Sequence, residues 1–183
     1  MSRATLAPPV TARDHIQGDA SAAVTLVEYG DYECPHCGRA HPIIKAVQQR
    51  LGARLRFVFR NFPLTEAHPH AAHAAEAAES VAAHGGSDAF WTMHDLIFEP
   101  QQDLSDTSLG TLAGQAGVTA DLVLADLAAE RFVERVQEDF MSGVRSGVNG
   151  TPTFFIDGIR YDGPWDEESL TSALERAARR AKA

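Results

Sequence analysis

Ala23-Val24-Thr25-Leu26-Val27-Glu28-Tyr29-Gly30-Asp31-Tyr32-Glu33-Cys34-Pro35-His36-Cys37 is the stretch on which the reading of this chain turns. From Ala23 to Tyr29 it is apolar and β-branched, and Gly30 bounds it, so its first half reads as a buried strand. Its second half is a C-x-x-C pair, and Pro35 suits the first turn of a helix, where a missing N–H costs nothing. Two thiols at a strand-to-helix junction are arranged for reversible dithiol–disulfide chemistry. They are the only cysteines among 183 residues, so no third sulfur competes for pairing.

Working outward, the helix that starts at the cysteines reads on to Leu51 with Gly52 as its C-cap. Pro42 lies inside it and should kink or break it. Leu55 to Arg60 alternates as a second strand and ends at Asn61-Phe62-Pro63. Strand, helix and strand at these lengths form a βαβ unit with parallel strands and a right-handed crossover. From about Thr65 to Gly147 the chain is helical. The Ala-rich run His70 to His84 comes first, then Ala89 to Phe98, a helix starting at Ser105 or Thr107, one capped by Thr119, and Glu130 to Ser146. Strands return at Thr153 to Ile156 and Ile159 to Tyr161, joined by the hairpin dipeptide Asp157-Gly158. Asp166 caps a last helix through Ala178. The domain reading is a loose N-terminal arm over 1–13, a βαβ part over 14–64, a helical insertion over 65–147 and a ββα part over 148–183.

Bulk properties exclude several classes. A net charge of -9 argues against nucleic acid or an anionic membrane as partner. No apolar run is long enough to span a bilayer, and Met1 to Val10 has no apolar core of a secretory signal. On that ground the expected compartment is the cytoplasm; a mature form of an exported protein would instead be extracytoplasmic.

Cys34 is the expected nucleophile. A helix N-terminus lowers a thiol pKa, and His36 can add a donor or a positive charge. Cys37, one turn on and more buried, is the natural resolving thiol. Glu28 interrupts an otherwise apolar strand, and a buried carboxylate needs a partner or a task. It is either a proton acceptor for Cys37 or a residue that turns to solvent or to a cation. Gly150-Thr151-Pro152-Thr153 precedes a strand. A cis Pro152 would expose Thr151 as an edge for an incoming peptide, whereas a trans proline would be an ordinary strand start.

Two other functions compete with protein disulfide exchange. The pair Cys34 and Cys37 could bind zinc with His36, His68, His70 or His73. Alternatively, the chain could reduce peroxide or another small molecule. The histidines of the Ala-rich helix read more simply as surface or groove residues.

Glu28 to Glu33, the Cys34-Pro35-His36-Cys37 tetrapeptide and Val148 to Thr153 together resemble the DsbA-like branch of the thioredoxin superfamily, over about His15 to Ala178. The resemblance implies an α/β thioredoxin fold with an all-helical domain inserted between its βαβ and ββα halves. It implies thiol–disulfide exchange with protein or peptide substrates, a redox partner that recycles the pair, and no cofactor beyond the Cys34–Cys37 disulfide. Cys34 would be the nucleophile with Pro35 and His36 beside it, Cys37 the resolving thiol, Glu28 the buried acid and Thr151-Pro152 the cis-proline segment. The family's namesake works in the periplasm, whereas this chain shows no export signal, which leaves the direction of electron flow open.

Overall fold

The alternation read from the sequence builds one five-stranded sheet in the computed structural model, which describes residues 4–99 and 103–180. The strands are β1 (His15–Gln17), β2 (Val24–Gly30), β3 (Leu55–Asn61), β4 (Thr153–Ile156) and β5 (Ile159–Tyr161), in the order β1-β3-β2-β4-β5. Only β2 and β3 run parallel, in register from Val24 opposite Leu55 to Gly30 opposite Asn61. Their connection is the helix α1 (Pro35–Leu51), followed by a 3-10 turn over Gly52–Arg54. The other pairings are antiparallel, including the hairpin that joins β4 to β5.

The two-residue period of a strand sorts side chains between the faces. Val24 and Leu26 join the larger core cluster with Phe57, Phe59 and the buried residues of α1. Val27 and Tyr29 join a smaller cluster on the other face with Val58, Phe62, Val148 and Phe155. Glu28 falls in phase with Leu26, on the face covered by the helix that carries the cysteines.

Four helices follow: α2 (Ala71–Phe98), α3 (Asp106–Gln115), α4 (Ala120–Ala128) and α5 (Val133–Arg145). The two helices expected over 70–98 are both present as the halves of α2, and they meet at Gly86, whose φ of 79° lies outside the helical region and favours glycine. Ser105 caps α3 by accepting from the Ser108 N–H. α5 lies close against the smaller cluster, because a Cβ on Gly143 would stand 2.6 Å from the Phe62 ring. The last helix, α6 (Glu167–Arg180), starts where expected, with Asp166 accepting from the Ser169 N–H at 3.0 Å.

Two local features differ from expectation. Pro42 sits within α1 without ending it, as the helix continues to Leu51 and its Gly52 cap. The segment read as a loose arm makes contacts along its described residues. Thr5 bridges to Ile159, and the Leu6 N–H donates to the Gly158 carbonyl at 2.8 Å. Buried Arg60 holds the next stretch: it donates to the carbonyls of Pro8 and Pro9 and pairs with Asp14 at 2.7 Å.

Candidate active site

The junction between β2 and α1 is a loop of four residues, Asp31 to Cys34, and its geometry follows from a single side chain. Asp31 is 1% exposed. One carboxylate oxygen accepts from the N–H groups of Glu33 (2.8 Å) and Cys34 (3.2 Å), and the other from the Leu64 N–H (2.8 Å) and His68 Nδ1 (2.7 Å). Its own N–H donates to Cys37 Sγ at 3.4 Å. Asp31 thereby ties the cysteine loop to the segment that follows β3.

Cys34 is the N-cap of α1, with extended backbone and its carbonyl accepting from Gly38 N–H at 3.0 Å. The two cysteines are not joined as a disulfide. A hydrogen bond from Cys37, reinforced by Thr151 and by the N–H groups of Cys37 and His36, pulls the Cys34 pKa down to about 5 against the opposing effect of burial. Burial pushes Cys37 well above the ordinary thiol range, and its bond to Cys34 and the charge of Glu28 push it further. Adjacent sulfurs are therefore driven in opposite directions: the outer one to the thiolate, the inner one to the thiol.

Glu28 is buried at 3% exposure, and no cation pairs with it among the described residues. Of its two sequence readings, the solvent-facing or ion-paired one is ruled out by this placement. Burial, with a smaller contribution from Cys34, raises its pKa to about 8. The Thr151-Pro152 peptide bond is cis, and the Thr151 carbonyl lies 3.5 Å from Cys34 Sγ. The Thr151 hydroxyl is buried without another partner. Cys34, Cys37, Glu28 and Thr151-Pro152, spread over more than a hundred residues of sequence, thus converge.

His36 contributes differently from expectation. Its ring is exposed and its Nδ1 accepts from Arg39 at 2.6 Å, so it is the backbone N–H of His36, not its side chain, that reaches Cys34. The histidines of the zinc alternative do not gather at the cysteines. His68 is bound to Asp31, and His73 to Asp106 at 2.7 Å. Among the described residues the one cluster with metal-ligand character is His41, His94 and Asp95. Its chemistry is already met: Lys45 pairs with Asp95 at 2.7 Å, and His94 Nδ1 lies 3.1 Å from the Tyr32 hydroxyl inside an aromatic shell that includes Phe59 and Phe98.

Sequence reasoning gave Asp31 no role, and it placed His68 at the thiols only as a candidate zinc ligand, not as a partner of Asp31. An Asp three residues before a helix-capping cysteine is a local signal for a turn that holds the following N–H groups. The bonds to Leu64 and His68 have no local signal.

A family model described as Thioredoxin matches residues 11–176. The chain belongs to the thioredoxin family. Solved structures share its fold: BdbD of Bacillus subtilis superposes with a TM-score of 0.87 at 24% identity, covering 97% of this chain and 100% of that one. α-DsbA1 of Wolbachia pipientis gives 0.79 at 18% identity, covering 97% and 96%. Those likenesses establish the fold alone, a thioredoxin fold with a helical insertion.

The sequence relatives are of another kind. The Na(+)/H(+) antiporter NhaA 3 of Salinispora tropica is 41% identical over 165 residues, which is 90% of this chain and 25% of that protein. The Na(+)/H(+) antiporter NhaA 1 of Mycobacterium sp. strain KMS is 42% identical over 93% of this chain and 28% of that protein. The chain thus spans about a quarter of the length of the curated relatives it matches. These findings overturn the cytoplasmic expectation. Here a matching domain is one segment of a longer polypeptide named for ion transport, and the fold is that of DsbA, a periplasmic oxidant. The first ten residues could not report the compartment. No helix among the described residues is long and apolar enough to cross a membrane.

Proposed function

We propose that this chain is a thiol–disulfide oxidoreductase acting on protein or peptide thiols, with Cys34 as the exchanging sulfur and Cys37 as its resolving partner. The observation that carries the reading is the opposed treatment of the two sulfurs, about 5 for Cys34 and well above the thiol range for Cys37. A low-pKa sulfur leaves readily and stabilises the reduced pair, so the disulfide form is an oxidant.

In the oxidising direction a substrate thiolate attacks Cys34 Sγ of the Cys34–Cys37 disulfide. The S–S bond breaks, its electron pair passes to Cys37, and Cys37 takes a proton, with Glu28 as the adjacent acid. A second substrate thiolate then attacks the substrate sulfur of the mixed disulfide, and Cys34 departs as a thiolate. The substrate has lost two electrons and the protein holds them as a dithiol. A recycling thiol–disulfide partner must remove them, and no cofactor beyond the cysteine pair is required. The cis Thr151-Pro152 peptide, with its carbonyl beside Cys34, offers main-chain groups to the substrate backbone.

Refolding of a reduced, disulfide-containing protein and reduction of insulin test the reading. The wild type should accelerate refolding, and Cys34→Ser should fall to the uncatalysed rate. A wild type no faster than Cys34→Ser in both assays overturns it. Equilibration with glutathione tests the direction: a potential above the cytosolic glutathione poise is the expected result. The relatives supply one candidate partner, a membrane ion antiporter. Cys37→Ala, which cannot resolve a mixed disulfide, should trap such a partner through Cys34.

A further inference from the structure

The Asp31 carboxylate poses an electrostatic problem for the site as read above. It is shielded from solvent, its oxygen stands 3.2 Å from the Cys34 N–H, and its backbone N–H bonds Cys37 Sγ. A full negative charge fixed there opposes a thiolate at Cys34, because like charges in a poorly solvated region disfavour each other's ionised form. Its four hydrogen bonds organise the loop, but three come from neutral N–H groups. The fourth comes from His68, whose Nδ1 is 2.7 Å away. His68 is the group in direct contact that can cancel the charge. It is held in the segment after β3, 37 residues from Asp31 in sequence.

We propose that His68 is a positioning residue for the Cys34 thiolate: as an imidazolium paired to Asp31, it neutralises the carboxylate that fixes the cysteine loop. The proposal rests on the reading of Cys34 as the exchanging sulfur. The charged groups facing His68 are Asp31, Glu33 and Cys34, all of one sign when ionised. Burial works against the imidazolium, but the Asp31 hydrogen bond and charge outweigh it, so its pKa lies above the ordinary value. The arrangement sets a direction. When His68 loses its proton, the Asp31 charge is uncovered, the Cys34 thiolate loses support, and the disulfide becomes a weaker oxidant.

Two variants and one reciprocal measurement test this. His68→Gln keeps a donor for Asp31 and removes the charge, whereas His68→Lys keeps a charge. Ultraviolet titration of the thiolate should place the Cys34 midpoint about one pH unit higher in His68→Gln. The glutathione equilibrium should move roughly tenfold toward the disulfide form, and His68→Lys should restore most of both. A midpoint unchanged in His68→Gln overturns the proposal. The reciprocal measurement needs no change at His68: its ring is titrated by NMR in wild type and in Cys34→Ser. The His68 pKa should fall when the thiolate is removed, and equal values in the two proteins overturn the proposal even if His68→Gln fails to fold. Neither titration requires substrate turnover. A wild type that titrates as described but catalyses nothing would sink the oxidoreductase reading and leave the coupling standing.

Discussion

Two groups of buried carboxylates in this molecule meet the same physical demand in opposite ways. At the end of β3, Glu79 and Asp139 are buried and fully partnered. Arg135 bonds Asp139 at 2.6 Å and stands 3.6 Å from Glu79, His15 lies 2.9 Å from Glu79, and Asn61 donates to both acids. On the neighbouring strand β2, Glu28 is as deeply buried and has no cation against it. The first group is bound into a network that fastens α5 and α2 to the sheet. The second keeps its proton up to about pH 8. Paired burial ties elements together, whereas unpaired burial beside two sulfurs leaves a carboxyl that retains its proton.

The largest expected effect breaks the paired group. Arg135→Ala leaves two buried carboxylates without their guanidinium and should cost about 3–5 kcal/mol, read as a lowered midpoint in urea unfolding. Glu28→Gln should do the reverse. Between about 4.5 and about 8 the unfolded chain has released the Glu28 proton while the folded chain retains it. Stability contributed by this residue is therefore complete below the first value and is lost as pH rises toward the second. In the disulfide form, where Cys34 does not titrate, Glu28→Gln should flatten that decline and raise stability at pH 7 by roughly 3 kcal/mol. It should also slow exchange at Cys37. A variant with the same slope as wild type would place the Glu28 proton elsewhere.

The reduced protein sharpens the comparison further. Cys34 falls from 9.0 to about 5 on folding, so over the intervening pH range the folded state holds fewer protons and gains stability as pH rises. The two slopes oppose each other, and reduced wild type should show a flatter pH–stability curve than oxidised wild type. The smallest effect lies at the bend of α2. Gly86→Ala places a side chain at φ 79° and should cost about 1–2 kcal/mol, with exchange activity unchanged.

Much of this was legible in the chain because its signals are local. Strand alternation, the C-x-x-C pair, Gly52, Asp166 and the Asp157-Gly158 hairpin each act within a few residues. β1 was missed because three residues of intermediate burial carry no usable period. Glu28 stood out because a carboxylate in an apolar strand is visible without any partner. Asp31 and His68 did not, since their meaning depends on a hydrogen bond between segments that only the folded sheet brings together. The same holds for Arg60, which read as the polar position of an alternating strand and instead grips Pro8, Pro9 and Asp14.

That grip has a consequence for the outermost strand of the hairpin. An open strand edge is a template on which another molecule can add itself. Here Thr5 and Leu6 already occupy part of the outer edge of β5, and Arg160 N–H donates to the Ala4 carbonyl. Because the covering segment is anchored by Arg60 of β3 while it lies on β5, its hold on that edge depends on strands from both halves of the sheet.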